Sequence, residues 1–182
     1  LILQIGLNLL TAKGKVKAGC PVKNVNIDDF LYSLPYTPTR AQLNAIKDTL
    51  LDFKSGYAMN RLVQGDVGSG KTLVAVAVMY CMAKNGYQSC MMAPTEILAN
   101  QHYENISKML ENFGVCVALL TASTKAAEKR KILSDLADGK IQILIGTHAL
   151  LSDKVIFKNL ALAVTDEQHR FGVNQRNLAG QK

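Results

Sequence analysis

The sequence predicts an α/β domain: a parallel β-sheet with helices on both faces, preceded by a short N-terminal helical segment. Three observations carry that prediction. From residue 61 onward, short β-rich apolar runs alternate with helical patterns. A glycine-rich turn joins the first of these strands to the helix after it. Glycines also stand where the helical patterns run out, supplying the left-handed backbone that other residues resist.

The elements follow in order. RLVQG leads into KTLVAVAVMYCMAKN, SCMMAP into TEILANQHYENISKMLENF, VCVALLT into TKAAEKRKILSDLADG, and IQILIGT into HALLS, with LALAVTD as the last strand. Strands separated by crossovers rather than tight turns pair in parallel, and such sheets are covered on both faces. In the second helical pattern Leu98, His102, Ile106, Met109 and Phe113 recur at three- and four-residue spacing and form one face. Gly86, Gly114 and Gly139 fall at the expected helix ends. Upstream, YTPTRAQLNAIKDTLLDF reads as a further helix, with Thr39 and Gln42 at capping-box spacing and an apolar stripe of Leu43, Ile46, Leu50 and Phe53. Residues 1–35 read as the tail of a linker helix plus a connecting segment, and residues 36–182 as the domain proper. No internal repeat or low-complexity segment is found.

A chain of 182 residues suffices for one full core with a small appendage. Its 48% hydrophobic and 19% charged residues exclude a disordered chain. No apolar run approaches the roughly 18 residues of a membrane span, and the basic cluster Lys13, Lys15, Lys17 follows the first apolar stretch instead of preceding it, unlike a secretory signal. A cytoplasmic protein is expected, and a first residue of Leu rather than Met suggests a fragment. The net charge of +7 favours a polyanionic partner. Cys20, Cys81, Cys90 and Cys116 show no metal-ligand spacing, and three of them lie in apolar segments, as small buried thiols would.

The chemistry centres on GDVGSGKT, which comprises Gly65, Asp66, Val67, Gly68, Ser69, Gly70, Lys71 and Thr72. Glycines let such a loop curl so that its N–H groups converge on a phosphate, and the helix N-terminus adds the positive end of its dipole. Lys71 is placed to reach the β and γ phosphates of ATP, and the Thr72 hydroxyl to face Mg²⁺. A P-loop NTPase also needs an acidic partner at the end of another strand. Asp166 and Glu167 follow LALAV, at the carboxyl edge of the sheet where ligands bind. Asp166 would hold Mg²⁺ through water, and Glu167 would polarise the water that attacks the γ-phosphate.

With the P-loop in place, DEQH resembles motif II of superfamily 2 helicases and translocases, whose motors are RecA-like domains. LVQGDVGSGKT, MAPTEILANQH, GTHALL and DEQHRFGVNQR, in this order, are more closely similar to the RecG family of bacterial ATP-dependent branched-DNA helicases. The resemblance extends over nearly the whole chain, with FLYSLPYTPTRAQ like the stretch leading into that family's first motor domain. It implies a domain acting in DNA repair and recombination on forks and Holliday junctions. Its partners would be branched DNA, an upstream wedge domain and a second RecA-like domain that completes the ATPase site, so that the 182 residues alone would be nearly inactive. It further implies that Gln42 contacts adenine and that Gln168 and His169 couple phosphate state to DNA-binding elements. The segments around Pro94 and Thr95, and around Gly146 and Thr147, would touch DNA backbone. Thr95 and Thr147 each end a strand and begin a helical pattern, where a hydroxyl and N–H groups can grip phosphate.

Plainer roles compete. Gln42 can simply complete a cap with Thr39; Thr95 and Thr147 are good N-caps; His102 is expected to pack on its helix; and Lys129, Arg130 and Lys131 suit a solvated helix face. Thr165 stands where the family usually has an apolar residue before motif II. The transcription-repair coupling translocase, with Phe in place of Ser69 and an EEQ-like motif, and PriA, with DEEH, are less similar. A P-loop ATPase unconnected with nucleic acid would need an LSGGQ-like segment or a deviant P-loop lysine, and neither occurs.

Overall fold

The computed structural model describes residues 2–6, 22–54, 60–64 and 68–167. Its helices are α1 (Asp28–Ser33), α2 (Arg40–Lys54), α3 (Lys71–Lys84), α4 (Glu96–Leu110) and α5 (Ala126–Ala137). Its strands are β1 (Ile2–Gly6), β2 (Asn60–Gln64), β3 (Gln88–Met92), β4 (Val117–Leu120), β5 (Ile143–Gly146) and β6 (Leu160–Glu167). Single 3-10 turns follow α4 at Glu111–Phe113 and β5 at His148–Leu151.

The sheet runs in the order β2-β1-β6-β3-β5-β4. Strands β6, β3, β5 and β4 pair in parallel. Strand β1 pairs antiparallel with both β2 and β6, so β2 points the same way as the other four. The strands expected from residue 61 onward therefore share one direction. The opening segment departs from expectation, because Ile2–Gly6 is a strand and not the end of a helix. A short apolar run carries either reading, and here long-range partners decide. Between β2 and β6 the N–H and C=O groups of β1 are paired on both sides, which a helix tail on the surface could not offer the sheet.

Helix α3 is apolar around its circumference, and every residue from Leu73 to Met82 is buried. A helix of that composition belongs inside. Helix α2 packs against it, burying Ile46, Thr49, Leu50 and Phe53. Leu43, expected in that stripe, is 38% exposed, and the buried face is the Ile46, Leu50 and Phe53 row. The alternation of β5 divides the core. Ile143 and Ile145 face α3 and α4, while Leu144 packs with Leu120 of β4 and with Ile132 and Leu136 of α5 on the opposite face. Helices thus cover both faces, as the sequence predicts.

Residues 22–33 are fastened to the far end of α3. Phe30 of α1 is fully buried and forms a ring cluster with Tyr80 and Phe113, with centroid separations of 5.4 and 5.9 Å. The Asn85 carboxamide accepts from the N–H groups of Lys23 and Asn24 and donates to the carbonyls of Asn24 and Cys81. Gly86, Gly114 and Gly139 all have positive φ, so these helical stretches end in the left-handed turn expected of them. Burial pushes the thiols of Cys81 and Cys90 up to about 11 and about 12. Cys116 departs from the expectation of a buried thiol: it is exposed in the turn before β4. Cys20 lies outside the described residues. Among the described residues no helix is long and apolar enough to cross a membrane.

Candidate functional site

The register of the sheet brings the candidate segments to one edge. Met92 at the end of β3 pairs with Gly146 of β5 and with Thr165 of β6, and Gly146 pairs with Leu120 of β4. The residues immediately beyond this row are Ala93, Thr147, Thr121 and Asp166. On the other side Ile2 faces Gln64 and Glu167, which sets the ends of β2 and β6 level with each other. All the strands that run in the common direction therefore end at the edge where a P-loop fold takes its ligand.

At the end of β2 the chain turns through Gly68 and Gly70, with φ of 83° and 75°, into α3. A side chain at Gly70 would be strained by that φ and would also run into the Gln42 amide. Lys71, the first residue of α3, is 6% exposed, and its Nζ donates to Ser69 Oγ at 3.1 Å. Gln42 makes the expected cap with Thr39. Its Oε1 accepts from Thr39 N at 2.8 Å and its own N–H donates to Thr39 Oγ1 at 3.3 Å, which is a complete capping box on α2. Its Nε2 also donates to the Ser69 carbonyl at 3.0 Å, tying that cap to the glycine turn. One Nε2 hydrogen and one Oε1 lone pair are left over for a ligand edge.

The β6 alternation fixes where Asp166 points. Leu162 and Val164 face the core shared with α3 and α4, and with a period of two Asp166 faces the same way. Helix α4 buries Ala99, His102, Ile106 and Leu110 against that face. The two patterns intersect: His102 Nε2 lies 2.7 Å from Asp166 Oδ2, and both side chains are nearly buried. The second carboxylate oxygen, Oδ1, is buried without a hydrogen-bond partner. An orphaned buried oxygen is costly unless a ligand or ion satisfies it. Thr165 points to the opposite face, away from this pair.

Thr95 is the N-cap of α4 and accepts from Leu98 N at 3.2 Å. Glu96 reaches across to Ser123, whose hydroxyl donates to it at 3.0 Å. Pro94 and Thr95 thus sit beside the Thr121–Thr124 turn. Thr147 differs from expectation: it precedes a single 3-10 turn, not a helix, and makes no capping bond through its side chain. Gly146 is required by close packing, since a Cβ there would meet the Leu120 carbonyl. Arg130 and Lys131 are exposed on α5, in keeping with a solvated face. Gly65, Asp66, Val67, Gln168 and His169 lie outside the described residues, and Glu167 is placed as the last residue of β6. His102 packs on the buried face of α4 with Ala99 and Ile106, as expected; its contact with Asp166 is fixed only by the fold.

A lysine at the mouth of a left-handed glycine turn, opening a buried helix level with a strand-end carboxylate, has the form of a P-loop nucleotide-binding domain. The comparisons agree, for the family model described as DEAD/DEAH box helicase matches residues 39–180, and the chain belongs to that family of ATP-binding helicase domains. It is similar to ATP-dependent DNA helicase RecG of Aquifex aeolicus, with 49% identity over 97% of this chain and 23% of that protein. It is likewise similar to RecG of Bacillus subtilis, with 50% identity over 84% of this chain and 22% of the relative. A solved structure of RecG bound to a three-way DNA junction superposes with a TM-score of 0.76 and 42% identity, covering 85% of this chain and 22% of the other. The chain spans about a quarter of the length of these relatives.

Proposed function

We propose that residues 36–182 are the first ATP-binding motor domain of a RecG-type branched-DNA helicase of the bacterial cytoplasm, working in DNA repair and recombination. In this reading it couples ATP hydrolysis to the remodelling of forks and Holliday junctions. The observation that carries it is that the ends of β2 and β6 lie level, so that Lys71, held at the glycine turn after β2, and Asp166 of β6, whose buried Oδ1 has no protein partner, belong to one sheet edge. The triphosphate lies over the N-terminus of α3, where Lys71 and the backbone N–H groups of Gly65 to Thr72 meet its negative charge. The P-loop fold implies Mg²⁺, and the residues fit it: the orphaned Asp166 oxygen and the Thr72 hydroxyl would hold the ion, which neutralises charge on the phosphates. Among the described residues no three His, Cys, Asp or Glu side chains cluster as a protein-built metal cage would. That suits an ion held largely by phosphate and water.

Glu167 orients the attacking water and takes up its proton. Gln42, anchored by Thr39 and Ser69, presents its remaining amide hydrogen and lone pair to the adenine edge. Gln168 and His169 relay phosphate state to the DNA-contacting segments, in which Pro94, Thr95, Gly146 and Thr147 bind backbone phosphates. A second RecA-like domain supplies the positive charge that completes the transition state, a contribution of about 10³ to 10⁵ in rate where it comes from an arginine finger. A wedge domain carries most of the junction contact. Lys71→Ala in the full-length protein tests the reading. Unwinding and ATP hydrolysis are expected to vanish while binding of a forked DNA, read by anisotropy, largely survives. Retention of ATP-driven unwinding, or loss of fork binding to the same degree, contradicts it.

A further inference from the structure

The geometry points to His102 as a positioning residue for Asp166, one that divides the labour between the two carboxylate oxygens. This rests on the reading of Asp166 as the carboxylate that faces Mg·ATP. A carboxylate on a strand end can turn about its own side-chain bonds, and a turned carboxylate presents the wrong oxygen. The 2.7 Å contact from His102 Nε2 removes that freedom by engaging Oδ2. With Oδ2 held, Oδ1 is the oxygen left buried and without a protein partner, on a side chain that stands at the carboxyl edge of the sheet.

The residue type fits the task. Ligating carboxylates are themselves commonly hydrogen-bonded, and those outer partners fix their orientation. An imidazole N–H holds an oxygen without the permanent positive charge of Lys or Arg, which would cancel the charge that a cation seeks. The ring is rigid and sits on the buried face of α4 between Ala99 and Ile106, so its Nε2 is placed by packing on both sides. Because Nε2 is engaged by Asp166, His102 is not itself a ligand through that atom. Two oxygens of one side chain thus have separate duties, one structural and one facing the nucleotide.

The test compares His102→Gln with His102→Asn in the full-length protein. The Gln amide nitrogen can reach the place of Nε2 and keep the bond; the Asn amide nitrogen matches Nδ1 and falls short. Both are uncharged amides of similar size, so a merely structural role would treat them alike. Binding of a fluorescent ATP analogue is measured with and without Mg²⁺, alongside thermal melting. His102→Gln is expected to keep the Mg²⁺-dependent gain in affinity to within about twofold, and His102→Asn to lose about tenfold or more of it, the usual size of an outer-partner effect. Metal-free nucleotide affinity stays unchanged in both. Equal behaviour of the two variants, whether both retain the gain or both lose it, overturns the proposal. Asp166→Asn separates the two layers of inference: if it keeps the Mg²⁺-dependent gain, the reading of Asp166 fails, and if it loses the gain while His102→Asn does not, the role of His102 alone fails.

Discussion

The two ends of helix α3 are built on opposite principles. At its C-terminal end polar side chains fasten the N-terminal segment. Asn85 spends its carboxamide on residues 23, 24 and 81, and Asp29 accepts from Tyr80 Oη at 2.6 Å and from Lys84 Nζ at 3.1 Å. At its N-terminal end the backbone is held in left-handed glycine turns, and across the edge a buried carboxylate oxygen goes unpaired. Both ends border the same core, so burial does not explain the difference. One end fastens the N-terminal segment; at the other a buried charged oxygen is left unpaired, a cost that a bound ligand would offset. Ser89 Oγ and Ser107 Oγ are also buried without partners, so what distinguishes the candidate site is that the unpaired atom there belongs to a carboxylate at the strand-end edge.

That contrast can be broken by removing the fastening. Asn85→Ala deprives two N–H groups and two carbonyls of their partner at a half-buried position, and the loss is expected to cost about 1–2 kcal/mol. It should appear as a fall in Tm of a few degrees with no change in affinity for ATP. Weakened ATP binding in this variant would mean that the two ends of α3 are not independent.

A smaller effect sharpens the same contrast through pH. The hydrogen bond from Tyr80, with help from Lys84, holds the Asp29 carboxyl below its ordinary value against the opposing effect of burial. A group with a depressed folded pKa contributes stability that is fully present above its unfolded pKa and is lost as pH falls through the folded value. The stability difference between wild type and Asp29→Asn should therefore be largest near neutrality and shrink in acid, as measured by denaturant melts across that range. A difference independent of pH would show that Asp29 acts through packing rather than ionisation. Because the side chain is half exposed, the effect is modest.

Much of the fold was legible in the sequence because its signals are local. The glycine turn, the alternation of strands and helices, and the Thr39–Gln42 capping box each depend on residues within a few positions of one another. What escaped depends on distant partners. LILQIG reads as helix or strand until β2 and β6 flank it. Leu43 lies on the apolar stripe of α2 yet is left partly exposed, and Cys116 is exposed just before β4, which no periodicity reports. His102 resembles a core histidine until the parity of β6 delivers Asp166 to the same face. The candidate site divides in the same way. Its glycine turn and strand-end acidic pair were readable as motifs, whereas the contact of Asp166 with His102, and the carboxylate oxygen left unpaired beside it, are properties of the assembled sheet.

The central claim, that the unpaired oxygen of Asp166 and the glycine turn before α3 form one nucleotide site, is tested most directly by a crystal structure with Mn²⁺ and a non-hydrolysable ATP analogue. The account predicts a triphosphate over the N-terminus of α3 and an anomalous peak beside Asp166 Oδ1, with the Thr72 hydroxyl facing the same ion and His102 still holding Oδ2. An ion bound elsewhere, with Asp166 Oδ1 turned to a protein donor, would contradict it.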